Sequence, residues 1–400
     1  MIRSMTERAG PGDGGRCSGT RSATTQYGRF DPGGETGRVI MEQILVVNIS
    51  GIGDCVDSIP ALQRLRQLRP TARIRLVVAE KSVELARCFP MVDDVIGLPT
   101  SPGRALPRLM DALRWGRAVA GLRGRYTTVI HLYDARSLAG RSWRGLLSAL
   151  APAAVRIDPL ELTADRNGSG NRVDEFLRTI SGVDSGTRAS STVPGAVPAG
   201  MAHDGLLIPE SVTDEVRGWV KSLGDWKGLT GPLVVVALGG DRQTRHEAPE
   251  RAEHWLRLIQ QRWAVRPIVI GLPKDPVLPI GSSVVHVDGR GRWGLVQTVA
   301  LIAMADVVIS THSAPQHVAG LWGVPTVSLV GPSDPVRYRP PLPDDKLRQL
   351  QCVVPCAPCY FTVCPLQGAD YQRCMSGITP EAVARAFGEL MAGRPPSGDG

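Results

Sequence analysis

Nowhere does the 400-residue chain string together about 18 apolar residues without a charge or strongly polar group, so no membrane-spanning helix is expected. The most apolar stretch, Val296–Ile309, is interrupted by Asp306 and reads as a buried helix followed by a strand. Residues 1–40 lack the apolar core of a secretory signal. They are rich in Gly, Ser, Thr and Arg, and read as a disordered extension or as an over-extended start ahead of Met41. Without an export signal, the expected residence is the cytoplasm. No dense basic run is interleaved with aromatics, so specific nucleic-acid binding is not expected. A full G-x-G-x-x-G fingerprint is missing, which makes a dinucleotide site a poor match, and the lack of a G-x-S-x-G elbow leaves a serine hydrolase unsupported.

What is present describes a globular protein. Hydrophobic residues make up 42% and charged residues 21%, and the length suits two domains of roughly 150–200 residues each. Net charge is +8, with Arg far outnumbering Lys. That excess favours phosphate-bearing ligands, or is simply a solvated basic surface.

Strand and helix patterns alternate along the chain. Gln43–Ser50 is a nearly continuous apolar run, as a buried parallel strand requires, and an amphipathic segment follows at Val56–Leu68. Further strands are expected at Ile74–Ala79, Val95–Leu98 and Thr127–Tyr133, with helical spacing at Pro107–Leu122 and Val173–Ile180. A domain boundary is expected near 200–208. The second half predicts strands at Leu233–Leu238, Pro267–Gly271, Val284–Val287, Val307–Ser310 and Thr326–Val330, with helices between them. The closing helix Glu381–Met391 is expected to pack back on the first domain. The pattern predicts an α/β protein with two Rossmann-like domains: 41–205, and 206–378 followed by a helix and tail at 379–400. Two such domains facing one another leave a cleft lined by strand C-terminal ends.

Three constellations sit at such ends. Gly51-Ile52-Gly53-Asp54 follows the first strand, where glycines permit a tight turn and Asp54 reads either as a helix cap or as a carboxylate facing the cleft. Gly239-Gly240 leads to Arg242, Arg245 and His246 ahead of a helix, an arrangement suited to a diphosphate or to an exposed polar loop. Ser310 to His317 runs from an apolar strand into a helix, where Ser313, Ala314 and their N–H groups suit phosphate oxygens.

Taken together, these segments resemble glycosyltransferase family 9, the heptosyltransferase-like enzymes, over roughly residues 43–392. The carriers are Gly51-Ile52-Gly53-Asp54 with Ser58-Ile59-Pro60-Ala61-Leu62, then Thr244-Arg245-His246-Glu247-Ala248-Pro249-Glu250, and then His312-Ser313-Ala314-Pro315-Gln316-His317-Val318-Ala319. Gly323-Val324-Pro325 and Gly331-Pro332-Ser333-Asp334-Pro335 continue the match. The resemblance implies a GT-B fold and metal-independent inverting transfer from a nucleotide-diphosphate sugar such as ADP-heptose. The acceptor would be lipopolysaccharide core, another glycan, a lipid-linked glycan or a protein, and residence would be cytoplasmic with peripheral association at the inner membrane. Asp54 would be the general base. Gly51, Gly53, Gly239, Arg245, Ser313, Ala314 and His317 would bind the donor, and His312 would touch its sugar. Two departures are evident: His312-Ser313-Ala314 replaces the family's Asp-Thr-Gly, and Arg245 replaces its lysine. They keep open an alternative, a catalytically impaired nucleotide-binding or assembly protein of the same fold.

Of eight cysteines, five fall at Cys352, Cys356, Cys359, Cys364 and Cys374. The tight C-x2-C spacing predicts a structural zinc or iron held by Cys356, Cys359, Cys364 and Cys374, with Cys352 as a further candidate. Reduced structural cysteines, or an adventitious disulfide, are the alternative.

Overall fold

The computed structural model describes residues 41–99, 120, 122, 126–132, 155–157, 170–185, 205–224 and 226–392. The 1–40 segment and most of the expected helix at 107–122 lie outside these residues.

The first sheet is wholly parallel. Its strands are β1 (Gln43–Asn48), β2 (Arg73–Ala79), β3 (Asp94–Leu98), β4 (Thr128–His131) and β5 (Val155–Ile157), in the order β3-β2-β1-β4-β5. β1 pairs in register with both β2 and β4, and its Ile44–Val47 core is 0–1% exposed because neighbours cover both faces. The amphipathic segment after β1 forms two helices, α1 (Ile52–Asp57) and α2 (Ile59–Leu68). They divide at Ser58, ahead of Pro60 in the first turn of α2, where a missing N–H costs nothing. After the short α3 (Val83–Ala86) and β3, the helix α4 (Arg172–Ser185) packs on α2. The chain passes to the second sheet through 205–209, where Leu207 N–H donates to Cys88 O (2.9 Å).

The second sheet begins after α5 (Glu210–Ser222). Its strands are β6 (Leu233–Ala237), β7 (Arg266–Ile270), β8 (Val287–Asp288), β9 (Val307–Thr311), β10 (Thr326–Leu329) and β11 (Leu347–Leu350). Their order is β11-β10-β9-β6-β7-β8, again parallel throughout. Helices α6 (Pro249–Trp263), α7 (Leu295–Ala303) and α8 (Ala314–Leu321) alternate with the strands, and α9 (Arg373–Ser376) and α10 (Pro380–Ala392) close the chain. Two parallel α/β domains of this kind make a GT-B fold.

Two expectations need correction. The strand expected at Val284–Val287 shrinks to β8. Gln260 of α6 captures the Val285 backbone, accepting from its N–H (3.0 Å) and donating to its O (2.8 Å), so those groups do not join a ladder. The closing helix α10 packs on α6 and β11 rather than on the first domain. Phe387, fully buried, meets Trp263 edge-on at 5.3 Å between ring centroids.

In each sheet the chain reverses its direction of travel beside the central strand: between β1 and β4 in the first, and between β6 and β9 in the second. Loops leaving such a point splay apart and open a crevice. The crevices of the two domains face each other, with α1 packed against α8.

Candidate active site in the interdomain cleft

On the first-domain side, α1 starts at Gly51. Asp54 is not the N-cap; it occupies the third helical position and reaches back, its Oδ2 accepting from Gly51 N–H at 3.1 Å. The other carboxylate oxygen lies 3.1 Å from Nε of Arg172, a residue of α4. Arg172 is buried, with the rings of Phe176 and Tyr338 at 5.5 and 5.8 Å from its guanidinium carbon. Burial works against its charge, but Asp54, Tyr338, Glu175 and Asp57 outweigh it and raise its pKa. One turn after Asp54, the buried Asp57 carboxylate accepts from Nδ1 of His317 at 2.9 Å.

His317 belongs to α8 of the second domain, so this contact bridges the cleft. Its ring lies against Gly53, where a methyl group would sit 2.9 Å from Cδ2. Burial lowers the basicity of His317, yet Asp57 and Asp54 together prevail and its pKa is raised. Further bridges flank this one. Arg172 N–H donates to Arg337 O (3.0 Å), Arg337 pairs with Glu175 (3.1 Å), and Lys81 pairs with Asp241 (2.6 Å).

On the second-domain side, β6 and β9 end side by side. Thr311 Oγ1 donates to Gly239 O (2.8 Å), tying the two loops together. Gly239 is required there, because a Cβ would overlap the Asp275 carboxyl. Gly240 lies against Ser313, the N-cap of α8, whose hydroxyl donates to Thr311 O (3.2 Å) and does not cap the helix, so the side chain leaves the first N–H groups of α8 and the dipole behind them untaken. Arg242 and Arg245 stand beside this helix end. Nη1 of Arg242 and Nε of Arg245 are buried without a hydrogen-bond partner among the described residues. Arg245 Nη1 donates to His312 O (3.1 Å), which fixes the side chain while leaving Nε free. Burial and the charge of Arg242 lower the Arg245 pKa, opposed by Tyr338 and Asp54. The influence of Asp54 shows that the carboxylate of one domain and the guanidinium of the other share one field.

His312 lies at the floor. It is buried, its ring stands edge-on to Tyr338 (6.2 Å) and 6.5 Å from His317, and its Nε2 has no partner among the described residues. Burial, His317 and Arg245 together hold its pKa well below the usual imidazole value, so the ring is neutral near pH 7. A neutral ring with an open nitrogen can exchange a hydrogen bond with a ligand hydroxyl.

Some of these positions fall in a stretch that matches a known family. The profile of glycosyltransferase family 9 (heptosyltransferase) matches residues 284–369, the stretch that holds His312 to His317. Lipopolysaccharide heptosyltransferase 1 of Pseudomonas aeruginosa is 25% identical over 368 residues, covering 86% of this chain and 96% of its own length. By these matches the chain is similar to the glycosyltransferases of family 9. Solved structures repeat its fold. A family 9 glycosyl transferase from Veillonella parvula aligns with TM-score 0.66 at 18% identity, covering 88% of this chain and 98% of its own. The E. coli ADP-heptose lipopolysaccharide heptosyltransferase II aligns with TM-score 0.63 at 17% identity, with the same two coverages.

Among the expected site residues, Asp54, Gly53, Gly239, Arg245, His312, Ser313, Ala314 and His317 therefore sit in or around one cleft. Gly51 caps α1 and receives Asp54. Sequence reasoning missed Asp57, Arg172 and Tyr338, each of which acts on a residue brought from elsewhere in the fold. It also missed Asp275, whose buried Oδ1 lacks a partner among the described residues and whose place beside Gly239 follows from the ends of β6 and β7.

The five clustered cysteines line one cavity of about 430 Å³, together with Thr244, Pro332, Phe361 and Leu366. All five thiols are free. Burial first, then Cys359, Cys356 and Cys364, push the Cys374 thiol up to about 11. Among the described residues no group of three His, Cys, Asp or Glu side chains is arranged, as it stands, to hold a metal ion.

Proposed function

We propose that this glycosyltransferase moves a heptose, with inversion, from a nucleotide-diphosphate sugar such as ADP-heptose to a lipopolysaccharide-core, glycan, lipid-linked or protein acceptor. One observation carries the reading. On the side of the cleft opposite Asp54, Nη1 of Arg242 and Nε of Arg245 are buried without a hydrogen-bond partner among the described residues, near the start of α8. The donor diphosphate would lie on Arg242, Arg245 and the α8 N-terminus, with Ser313 and Ala314 alongside. The acceptor hydroxyl would attack the anomeric carbon and give its proton to Asp54 as the carbon–oxygen bond to the diphosphate breaks. Charge grows on the leaving diphosphate, where fixed cations and helix N–H groups act most strongly. The similarity to Pseudomonas aeruginosa lipopolysaccharide heptosyltransferase 1 supports heptose and lipopolysaccharide core as the first donor and acceptor to try.

His312 favours a second reading, a binding or assembly protein that has lost transfer, since a neutral imidazole replaces the family's carboxylate. Mass-detected transfer from a panel of nucleotide sugars to lipopolysaccharide core separates the two: a glycosylated product supports the enzyme, whereas nucleotide binding without product supports the binder. We also place the site of action in the cytoplasm, with peripheral attachment at the inner membrane where lipid-linked acceptors lie. No helix among the described residues is long and apolar enough to cross a membrane.

For the cysteine cavity we propose a structural zinc or iron on Cys356, Cys359, Cys364 and Cys374, with Cys352 in reserve. The donor set suits either ion: five thiols around one chamber, two of them at C-x2-C spacing. The ion would cross-link the loop and take no part in transfer.

A further inference from the structure

The segment from Cys352 to Cys374 has little regular structure, and Val353, Tyr360, Phe361 and Val363 on it are exposed. Besides Cys359 N–H to Pro332 O (2.9 Å) and the burial of Val354 and Cys374 in the core, several of its contacts fall on the short turn Gln243–Arg245 that carries Arg245 and follows Arg242. Thr244 is 2% exposed, and both of its free donors go to this segment: the hydroxyl to Phe361 O (2.8 Å) and the N–H to Thr362 O (3.2 Å). Gln372 Nε2 donates to Gln243 O (2.6 Å). The Arg242 guanidinium carbon stands 5.3 Å from the Tyr360 ring centroid. Thus two consecutive residues of the arginine turn, Gln243 and Thr244, and Arg242 before them when Tyr360 is counted, are held from one side by the cysteine loop.

We infer that the cysteine-rich loop is the positioning element of the donor site, with Thr244, Gln372 and Tyr360 as the residues that transmit its order to Arg242 and Arg245. The inference rests on the proposed role of those arginines as diphosphate ligands. Thr244 itself is excluded from holding phosphate, because its hydroxyl and N–H are already committed. Both arginines keep an orphaned nitrogen, and although Arg245 Nη1 is tied to His312 O, the aim of both side chains also depends on the backbone that bears them. That backbone leaves a strand end through two glycines and has no ladder of its own after β6. A strap from the cysteine loop supplies the missing constraint, which lowers the ordering entropy left to donor binding.

The experiment uses the full chain, with ADP as the probe. In the Thr244→Val, Gln372→Ala double variant, amide exchange over 242–246 should accelerate in the unliganded protein, and ADP should bind about tenfold more weakly by calorimetry. Thr244→Ser, which restores the hydroxyl, should recover both, and the acceptor KM should stay unchanged in all variants. Accelerated exchange with ADP affinity within about twofold of the parent would overturn the positioning role, as would unchanged exchange. Should the parent bind neither ADP nor UDP nor GDP, the donor role of Arg242 and Arg245 fails, and with it the positioning role; the exchange result then stands alone as a measure of the strap.

Discussion

Asp57 and His317 come from opposite domains and meet at 2.9 Å, both buried, one turn beyond the carboxylate that faces the donor side. Asp54 adds to the negative field at His317, while Arg245 opposes it; His312 stands 6.5 Å away between the rings. The pair fixes the separation of the two switch points at the height of the cleft. Its folded-state pKa for His317 is raised, so the unfolded chain binds fewer protons over the window above about pH 6.5. The contact's stabilisation should be fully present below that pH and fade as pH rises through the raised value. Asp57→Asn should therefore cost about 3–5 kcal/mol near pH 6, where a charged partner is left buried, and less near pH 9. Denaturant midpoints of parent and variant at the two pH values check this; an equal gap at both would remove His317 titration as the cause.

Gly53→Ala tests the same contact by volume alone. The added methyl would sit 2.9 Å from His317 Cδ2, tighter than a carbon contact allows, and the ring is pinned by Asp57. Overpacking of this kind costs roughly 1–3 kcal/mol, and here it should also loosen the domain contact. A thermal melt should show the loss, with Gly51→Ala as control, because the space there is open to within 3.7 Å of Asp54.

The parts of the site that sequence made visible are those that follow strand ends. β1, β6 and β9 are strands of five or six residues built on apolar runs of three to five, and the glycines, Asp54, Arg245 and the His312–His317 segment follow them closely. Asp57 was hidden because it reads as one more polar residue in an amphipathic segment, and only the meeting of α1 and α8 gives it a partner. Arg172 was hidden by distance along the chain: α4 brings it under Asp54. Helix α5 does carry an apolar face, Val212, Val216, Trp219 and Val220 at helical spacing, and it is absent from the expected elements although its pattern is legible. The strand expected at 284–287 fails because a glutamine from α6 competes for its backbone, an event no local pattern encodes. The cysteine spacing was legible, but its neighbourhood with Thr244 was not.

The cysteine cluster should behave as a metal site when purified under reducing conditions. About one equivalent of zinc or iron per chain is expected, and Cys359→Ser should lower both metal content and melting temperature. Ligation needs thiolates, so occupancy should fall as pH is lowered. Elemental analysis across pH gives the answer; metal-free protein of unchanged stability would remove the metal and leave five reduced cysteines around a cavity.

Arg245→Ala removes a guanidinium whose Nε has no hydrogen-bond partner among the described residues and whose Nη1 bonds to the His312 backbone. A diphosphate ligand is held in the ground state and more tightly as its charge grows, so donor affinity and turnover should fall together. Arg245→Lys should retain part of both, since the charge remains but the planar fork is lost. Calorimetric ADP binding paired with steady-state transfer separates this from misfolding, and unchanged ADP affinity would move the diphosphate elsewhere.

Asp54→Asn decides between a base and a purely structural role in the α1 turn and the Arg172 ion pair. The carboxylate does two structural jobs already, receiving Gly51 N–H at 3.1 Å and standing 3.1 Å from Arg172 Nε. Asparagine keeps the size and an acceptor oxygen for Gly51, while removing the charge that faces Arg172 and the capacity to take a proton. If Asp54 is the base, kcat should drop by roughly 10²–10⁴-fold while donor affinity changes little, because the diphosphate ligands lie on the other domain. If its role ends with the turn and the ion pair, stability should fall by about 1 kcal/mol or more and turnover per folded molecule should survive. Measuring kcat alongside the denaturation midpoint distinguishes the two. A variant that melts earlier yet transfers at near-parent rate would remove Asp54 from the chemistry and return the search for a base to Asp57, the other carboxylate of α1, which His317 already holds.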